Sequence, residues 1–210
     1  NRGRMPQFTA GGDFEFLEMP DEETAARRIV ALCREELPRE GFNALEDVQV
    51  LSPMHRTPCG VDNLNRLLQA ALNPPAPEKA EFRNSTLTFR VGDKVMQTKN
   101  DYTKGVFNGD IGFIREVSAD GVKVRYSDEL TADYEPNELM MLTLAYAMSV
   151  HKSQGSEYPV IVLPLVAAHH IMLQRNLLYT AVTRAKKKVV LLGSKAAVFT
   201  AVSNDRTRRR

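Results

Sequence analysis

The sequence predicts an α/β domain with a parallel sheet, interrupted by a small all-β barrel. Three observations predict it. Short β-branched runs with no polar alternation recur near both ends of the chain, each beside a helical pattern, as buried parallel strands do. From about residue 84 to 142 the pattern changes to brief strand-like runs separated by turn dipeptides, with no amphipathic helix among them. The 210 residues are 43% apolar and 26% charged, which suits a folded chain with a real core.

The elements follow in order. Residues 1–20 read as mixed and turn-rich. Asp21 is a good N-cap, with Glu22 and Glu23 in the first turn behind it. Ala25, Ile29, Leu32 and Cys33 recur at helical spacing, predicting a helix from about 21 to 37 that Pro38 and Gly41 end. Val48–Leu51 reads as a buried strand. Thr57 as cap and Pro58 at the first helical position predict a second helix, with Leu64, Leu67, Leu68 and Ala71 on one face and Pro74 stopping it. In the middle segment, strands are expected over 87–91, 94–98, 111–117 and 122–126. Asn108-Gly109 and Asp120-Gly121 supply turns, the second joining a hairpin. The α/β pattern resumes with a strand over 160–163, a helix over 171–183 and a strand over 189–192. Ser194 caps a last helix through about Val202. The arginine-rich end, 206–210, reads as solvated or disordered.

Composition excludes several classes. No run approaches the roughly 18 apolar residues of a membrane helix, so no membrane partner is expected. Two cysteines, Cys33 and Cys59, are too few for a disulfide framework or a Cys-rich zinc site, and a reducing, cytoplasmic setting is the default. Twenty-eight basic against 26 acidic residues leave a charge of +2, which decides nothing about nucleic acid. There is no Gly-x-x-x-x-Gly-Lys-Ser/Thr phosphate loop, no His-Glu-x-x-His and no Gly-x-Ser-x-Gly. His169-His170 has no nearby third ligand and reads as a packed or solvated pair, so no metal-binding residue is assigned. The chain starts at Asn1 instead of Met, which suggests a piece of a longer protein.

Two segments carry the chemistry. Ser149 to Pro159 gathers hydroxyls, His151, Lys152, Gln154, Gly155 and Glu157 just before a buried strand. Loops at strand ends of an open α/β sheet bind ligands. Ser149, His151 and Lys152 suit phosphate-backbone contacts, and Glu157 suits a ribose hydroxyl; a plain polar loop with Gly155 as a helix stop is the other reading. In Asn176 to Ala185, Arg184 follows an apolar helix. It suits a γ-phosphate, or else complements the helix dipole together with Lys186, Lys187 and Lys188.

Within them, Val150 to Pro159 resembles motif V and Tyr179 to Ala185 resembles motif VI of superfamily 1 helicases, most nearly the RecD-like branch that includes the α subunit of exodeoxyribonuclease V. Val50 to Arg56 with Gly60-Val61 and Leu64-Asn65, Gly92 to Tyr102, and Val106 to Gly112 agree in the same order. The resemblance implies a RecA-like second motor domain over 1–83 and 143–210, with an SH3-like insert over 84–142. It implies an ATP-dependent DNA helicase that translocates 5′ to 3′ on single-stranded DNA. ATP would lie in the cleft against the protein's own N-terminal motor domain, which would hold most of the Mg²⁺. Arg184 would be the arginine finger, Glu157 would hold the ribose, Gly155 would allow close backbone approach, and Gln154 would sense the nucleotide state. Ser52, His55, Arg56, Ser149 and His151 would grip the strand backbone, and Lys152 is grouped with them. In the insert, Lys94, Lys99, Asn100 and Lys104 would line the strand, with Tyr102 or Phe107 free to stack; a solvated barrel face is equally open. Other expected partners are single-strand/duplex junctions and nuclease or helicase subunits. A nucleic-acid-binding module without motor function is the competing class.

Overall fold

In the computed structural model, which describes residues 3–205, the chain opens with a strand, β1 (Phe14–Glu18), inside the stretch read as turn-rich. It pairs on one side only, so its half-buried residues lack the continuous apolar run of a central strand. Asp21 then caps α1 (Glu22–Ala31), accepting from Thr24 N at 2.7 Å. The helix widens into a π-type segment (Leu32–Glu36) and closes with α2 (Leu37–Arg39). Pro38 therefore lies inside the helical run and does not end it. A proline ring collides with the carbonyl four residues back, and the wider turn, with Leu37 N bonded to Leu32 O, makes room for it. Gly41, at φ +93°, turns the chain away, and β2 (Val48–Ser52) enters the core with all five residues buried.

The second helix starts three residues later than its Thr57-Pro58 signal predicts. Residues 57–60 form a turn, and α3 runs from Val61 to Leu72. The carbonyls of Met54 and His55 take the amides of Val61 and Asp62 at 2.9 and 3.2 Å, so backbone oxygens serve the first helical donors in place of the Thr57 hydroxyl.

Leu68–Tyr146 make one of two compact units, and the flanking segments make the other. The Leu68–Tyr146 unit holds an antiparallel pair, β3 (Glu81–Arg83) and β4 (Thr88–Arg90). It also holds a five-stranded antiparallel sheet: β5 (Lys94–Gln97), β6 (Ile111–Ser118), β7 (Gly121–Arg125), β8 (Thr131–Tyr134) and β9 (Leu142–Leu144), in the order β8-β7-β6-β5-β9. The four expected strands are there. β3, β8 and β9 escaped notice because each is three or four residues long and β8 is half polar, with Thr131 and Asp133 outward. The β6–β7 loop is Ala119-Asp120; Gly121 opens β7 at φ +138°, where a Cβ would collide with the Tyr134 carbonyl. Asp93 anchors this unit. Its buried carboxylate accepts from Arg90 N, Gln69, Asn73 and the Tyr146 hydroxyl at 2.7 to 2.8 Å, and burial holds its pKa above the usual aspartate value against those donors.

The chain returns through β10 (Ala147–Ser149), a 3₁₀ turn (Val150–Ser153) and β11 (Tyr158–Leu165). α4 (Arg175–Val182), β12 (Ala185–Gly193) and α5 (Lys195–Ser203) complete it. α4 begins later than the apolar pattern suggests, since residues 167–169 form a 3₁₀ turn and Ile171 is exposed. β12 begins earlier: Lys186 to Lys188 belong to it, and Lys188 is buried against Glu40 at 2.8 Å and Glu15 at 3.4 Å. These lysines are therefore strand residues and not the helix-end charges of the simpler reading. Ser194 caps α5 as expected.

β1, β12, β11, β2 and β10 form one parallel sheet in that order. Val160 to Leu163 and Val190 to Leu192 are fully buried at its centre. Each such side chain contributes on the order of 1.5–3 kcal/mol of burial. Because every strand points the same way, segments preceding β11 and β12 emerge at one edge. Segments following β1, β2 and β10 emerge at the other. Among the described residues no helix is long and apolar enough to cross a membrane. The arginine-rich end at 206–210 lies outside the described residues.

Candidate functional site

At the edge where β11 and β12 begin, the structure brings Gln154, Gly155, Glu157 and Arg184 together. The link is local: Tyr158 N donates to Arg184 O at 2.8 Å, and the Arg184 guanidinium reaches Ser156 O and Thr183 Oγ1 at 3.4 Å each. Both guanidinium contacts are long, and its buried Nε has no partner. A half-buried cation with such weak hydrogen bonding suits an anionic ligand, because a guanidinium has five donors to satisfy. Gly155 is at φ +83°, a conformation that favours glycine, and open space lies before it. Gln154 is exposed. Glu157 is exposed and ion-paired with Lys186 at 3.3 Å. The sequence reading places Lys186 at a helix end, and its pairing with Glu157 goes unseen there because β12 is started at Val189.

At the opposite edge stand the residues suited to a phosphate backbone. Ser149 ends β10 and caps the 3₁₀ turn, accepting from Lys152 N at 3.4 Å; His151 and Lys152 are exposed on that turn. Asn65 fixes this edge strand by pairing with both backbone groups of Ala147, donating to its oxygen at 3.0 Å and accepting from its nitrogen at 2.8 Å. Ser149 is in register with Ser52 of β2, so the segment after β2 is its neighbour. In that segment His55 and Arg56 are exposed. Ser52 is a correction. It is wholly buried, and its hydroxyl donates to Cys59 O at 2.6 Å and accepts from Met54 N, so it braces the loop and presents nothing to a ligand.

A second brace comes from Glu22, which accepts from Cys59 N at 3.0 Å and lies 3.1 Å from His169 Nε2. Burial alone would raise the Glu22 pKa, but hydrogen bonds from Thr57, Cys59 and His169 leave it below the usual value. Burial pushes His169 down, so the ring is neutral and donates to an ionised carboxylate. His169 is thus packed and His170 exposed, in line with the simpler reading of the pair.

In the Leu68–Tyr146 unit, Lys94 is also a correction: it opens β5, a strand paired on both sides, is 2% exposed, and has no surface to offer a nucleic acid. The apolar neighbours Val95 and Met96 pull the whole strand inward. Lys104 is ion-paired with Glu138 at 2.9 Å. Lys99 and Asn100 are exposed, and Asn100 Oδ1 holds the 108 turn by accepting from Asn108 N. Tyr102 and Phe107 are exposed with their rings edge to face, centroids 5.7 Å apart.

Residues 64–130 match the SH3 domain of ATP-dependent RecD-like DNA helicases, and residues 144–192 match the UvrD-like helicase C-terminal domain. The ATP-dependent RecD2 DNA helicase of Deinococcus radiodurans is 40% identical over 196 residues, covering 90% of this chain and 25% of that protein. The RecBCD enzyme subunit RecD of Mycolicibacterium smegmatis is 32% identical over 170 residues, covering 81% of this chain and 29% of that one. The chain thus spans about a quarter of the length of these relatives. A Bacteroides Pif1 helicase in complex with ADP-AlF3 and ssDNA shares the fold at a TM-score of 0.51 and 21% identity, covering 73% of this chain and 42% of that one. With an SH3 domain of the RecD-like type followed by a UvrD-like C-terminal domain, the chain corresponds to the C-terminal region of RecD-like DNA helicases.

Proposed function

We propose that this chain is the second motor half of an ATP-dependent helicase that moves 5′ to 3′ along single-stranded DNA and opens duplex at junctions. One observation carries the reading: Arg184, with a partnerless buried Nε, stands beside the Gln154–Glu157 segment at one edge of the sheet, while exposed donors occupy the other edge. Arg184 donates to the γ-phosphate of ATP held by the protein's other motor domain, stabilising charge as it develops on transfer. Glu157 leaves Lys186 to accept from the ribose. Gly155 lets the backbone approach, and Gln154 contacts the phosphates according to nucleotide state. Mg²⁺, held mainly by the other motor domain, neutralises the triphosphate when bound. Ser149, His151, Lys152, His55 and Arg56 grip the strand backbone, and Lys99 and Asn100 add contacts from the insert. Closing of the ATP site then shifts one motor domain's grip past the other's.

The test is Arg184→Ala in the intact protein. DNA-stimulated ATP turnover should fall by about 10³-fold or more while ATP binding is largely kept; unchanged turnover would refute the assignment. The 32% identity to a RecBCD enzyme subunit favours a second reading, a subunit of a multi-chain helicase–nuclease. Pull-down from native extract separates that from a stand-alone helicase.

A further inference from the structure

A cavity of about 640 Å³ opens where the segment after β2 meets the first turns of α1 and α3. Arg27 of α1, His55 and Arg56 of the loop, and Arg66 of α3 line it together with Glu23 and Asp62. Among the described residues none of the three guanidiniums forms an ion pair. Arg27 makes one long bond to Thr24 Oγ1 at 3.3 Å, and Arg66 is steadied by Asn63 Oδ1 at 2.8 Å. Three exposed arginines without a salt bridge, drawn from three segments to one hollow, suit an anionic occupant, although the Asp21 carboxylate lies near enough to Arg27 to feel its charge.

The sheet says which anion. This hollow lies at the edge where β1, β2 and β10 end, the edge that carries Ser149 and His151. Glu22 ties the first turn of α1 to Cys59, so the loop after β2 bridges the β10 turn and the two helices. A strand lying on Ser149 and His151 and continuing past His55 and Arg56 runs next into the space between Arg27 and Arg66. We infer that the groove between α1 and α3 is a further subsite for the single-stranded DNA backbone, with Arg27 and Arg66 each taking a phosphate. The inference rests on the strand grip proposed above and extends it to two helices. Glu23 and Asp62 line the same hollow and repel a strand pressed deep into it, so the contacts are made by the exposed ends of Arg27 and Arg66.

The experiment is salt-dependent binding of oligothymidylate to the full-length protein, read by fluorescence anisotropy. Each lost phosphate contact on a single strand flattens the slope of log K against log salt by ~0.7. The double variant Arg27→Gln/Arg66→Gln should flatten it by ~1.4 and weaken binding at moderate salt, with ATP affinity unchanged. Glutamine keeps helix propensity and length, and circular dichroism checks the fold. An unchanged slope, alongside a flattened one for His55→Ala/Arg56→Ala, overturns the subsite while leaving the grip intact. An unchanged slope in both, and in Ser149→Ala/His151→Ala, overturns the grip itself and the subsite with it.

Discussion

Arg184 and His169 are both basic side chains with a buried nitrogen lacking a partner, and they differ in what that implies. A guanidinium stays charged, so its orphaned Nε beside two long contacts leaves a cation ready for an anion. An imidazole discharges instead. Burial lowers the His169 pKa from its usual 6.5, only partly opposed by Glu22. The folded protein then binds fewer protons than the unfolded chain between the lowered value and 6.5. Stability from this group is complete above about pH 6.5 and is lost as pH falls through the folded value. Glu22, held below its usual value, adds a further loss at lower pH, in the same direction. The urea midpoint should therefore drop between pH 7.5 and 5.5, and drop less in His169→Gln. Equal drops would exclude His169 as the source.

At the scale of elements, the polar pattern decided what the sequence could reveal. β2, β11 and the centre of β12 were legible because continuous Val, Ile and Leu runs have one explanation in an α/β chain. β1 and β10 were not. Edge strands are paired on one side, tolerate Glu15 or Met148, and are here only five and three residues long. The same limit hid part of the site: Glu157 was visible from its motif, but its partner Lys186 required the true start of β12. Lys94 and Ser52 were misread for the converse reason, since a polar residue type says nothing about which way its side chain faces. β10, so short, depends on Asn65, which supplies both a donor and an acceptor to Ala147. Asn65→Ala leaves two buried backbone groups unsatisfied and should cost about 3 kcal/mol, with Ser149 displaced. Denaturant titration checks the first effect. A loss below ~1 kcal/mol would mean that β10 is held by its pairing with β2 alone.

At the scale of the molecule, a net charge of +2 neither requires nor excludes a nucleic-acid partner, and what counts is where the exposed donors sit: at separate points, on the β10 turn, the loop after β2 and the helices α1 and α3. Such an arrangement suits a grip that is made and released, since each contact is individually weak and salt-screened. The edge proposed for the nucleotide is similarly partial. Arg184, Glu157 and Gly155 offer a cation, a carboxylate and a bare backbone, but the 210 residues contain no glycine-rich phosphate loop with its lysine. A phosphoryl group needs both a cradle and a nucleophile-positioning group for transfer, and the arginine finger proposed for Arg184 would supply neither. The chain by itself should therefore hydrolyse no ATP above the buffer rate, with or without single-stranded DNA, and should regain no turnover on adding Mg²⁺. Phosphate release from the purified chain measures this directly. Turnover that survives Arg184→Ala would mark a contaminant; turnover that Arg184→Ala removes would mean that one half builds a whole site, and the division of labour between two motor domains would have to be abandoned.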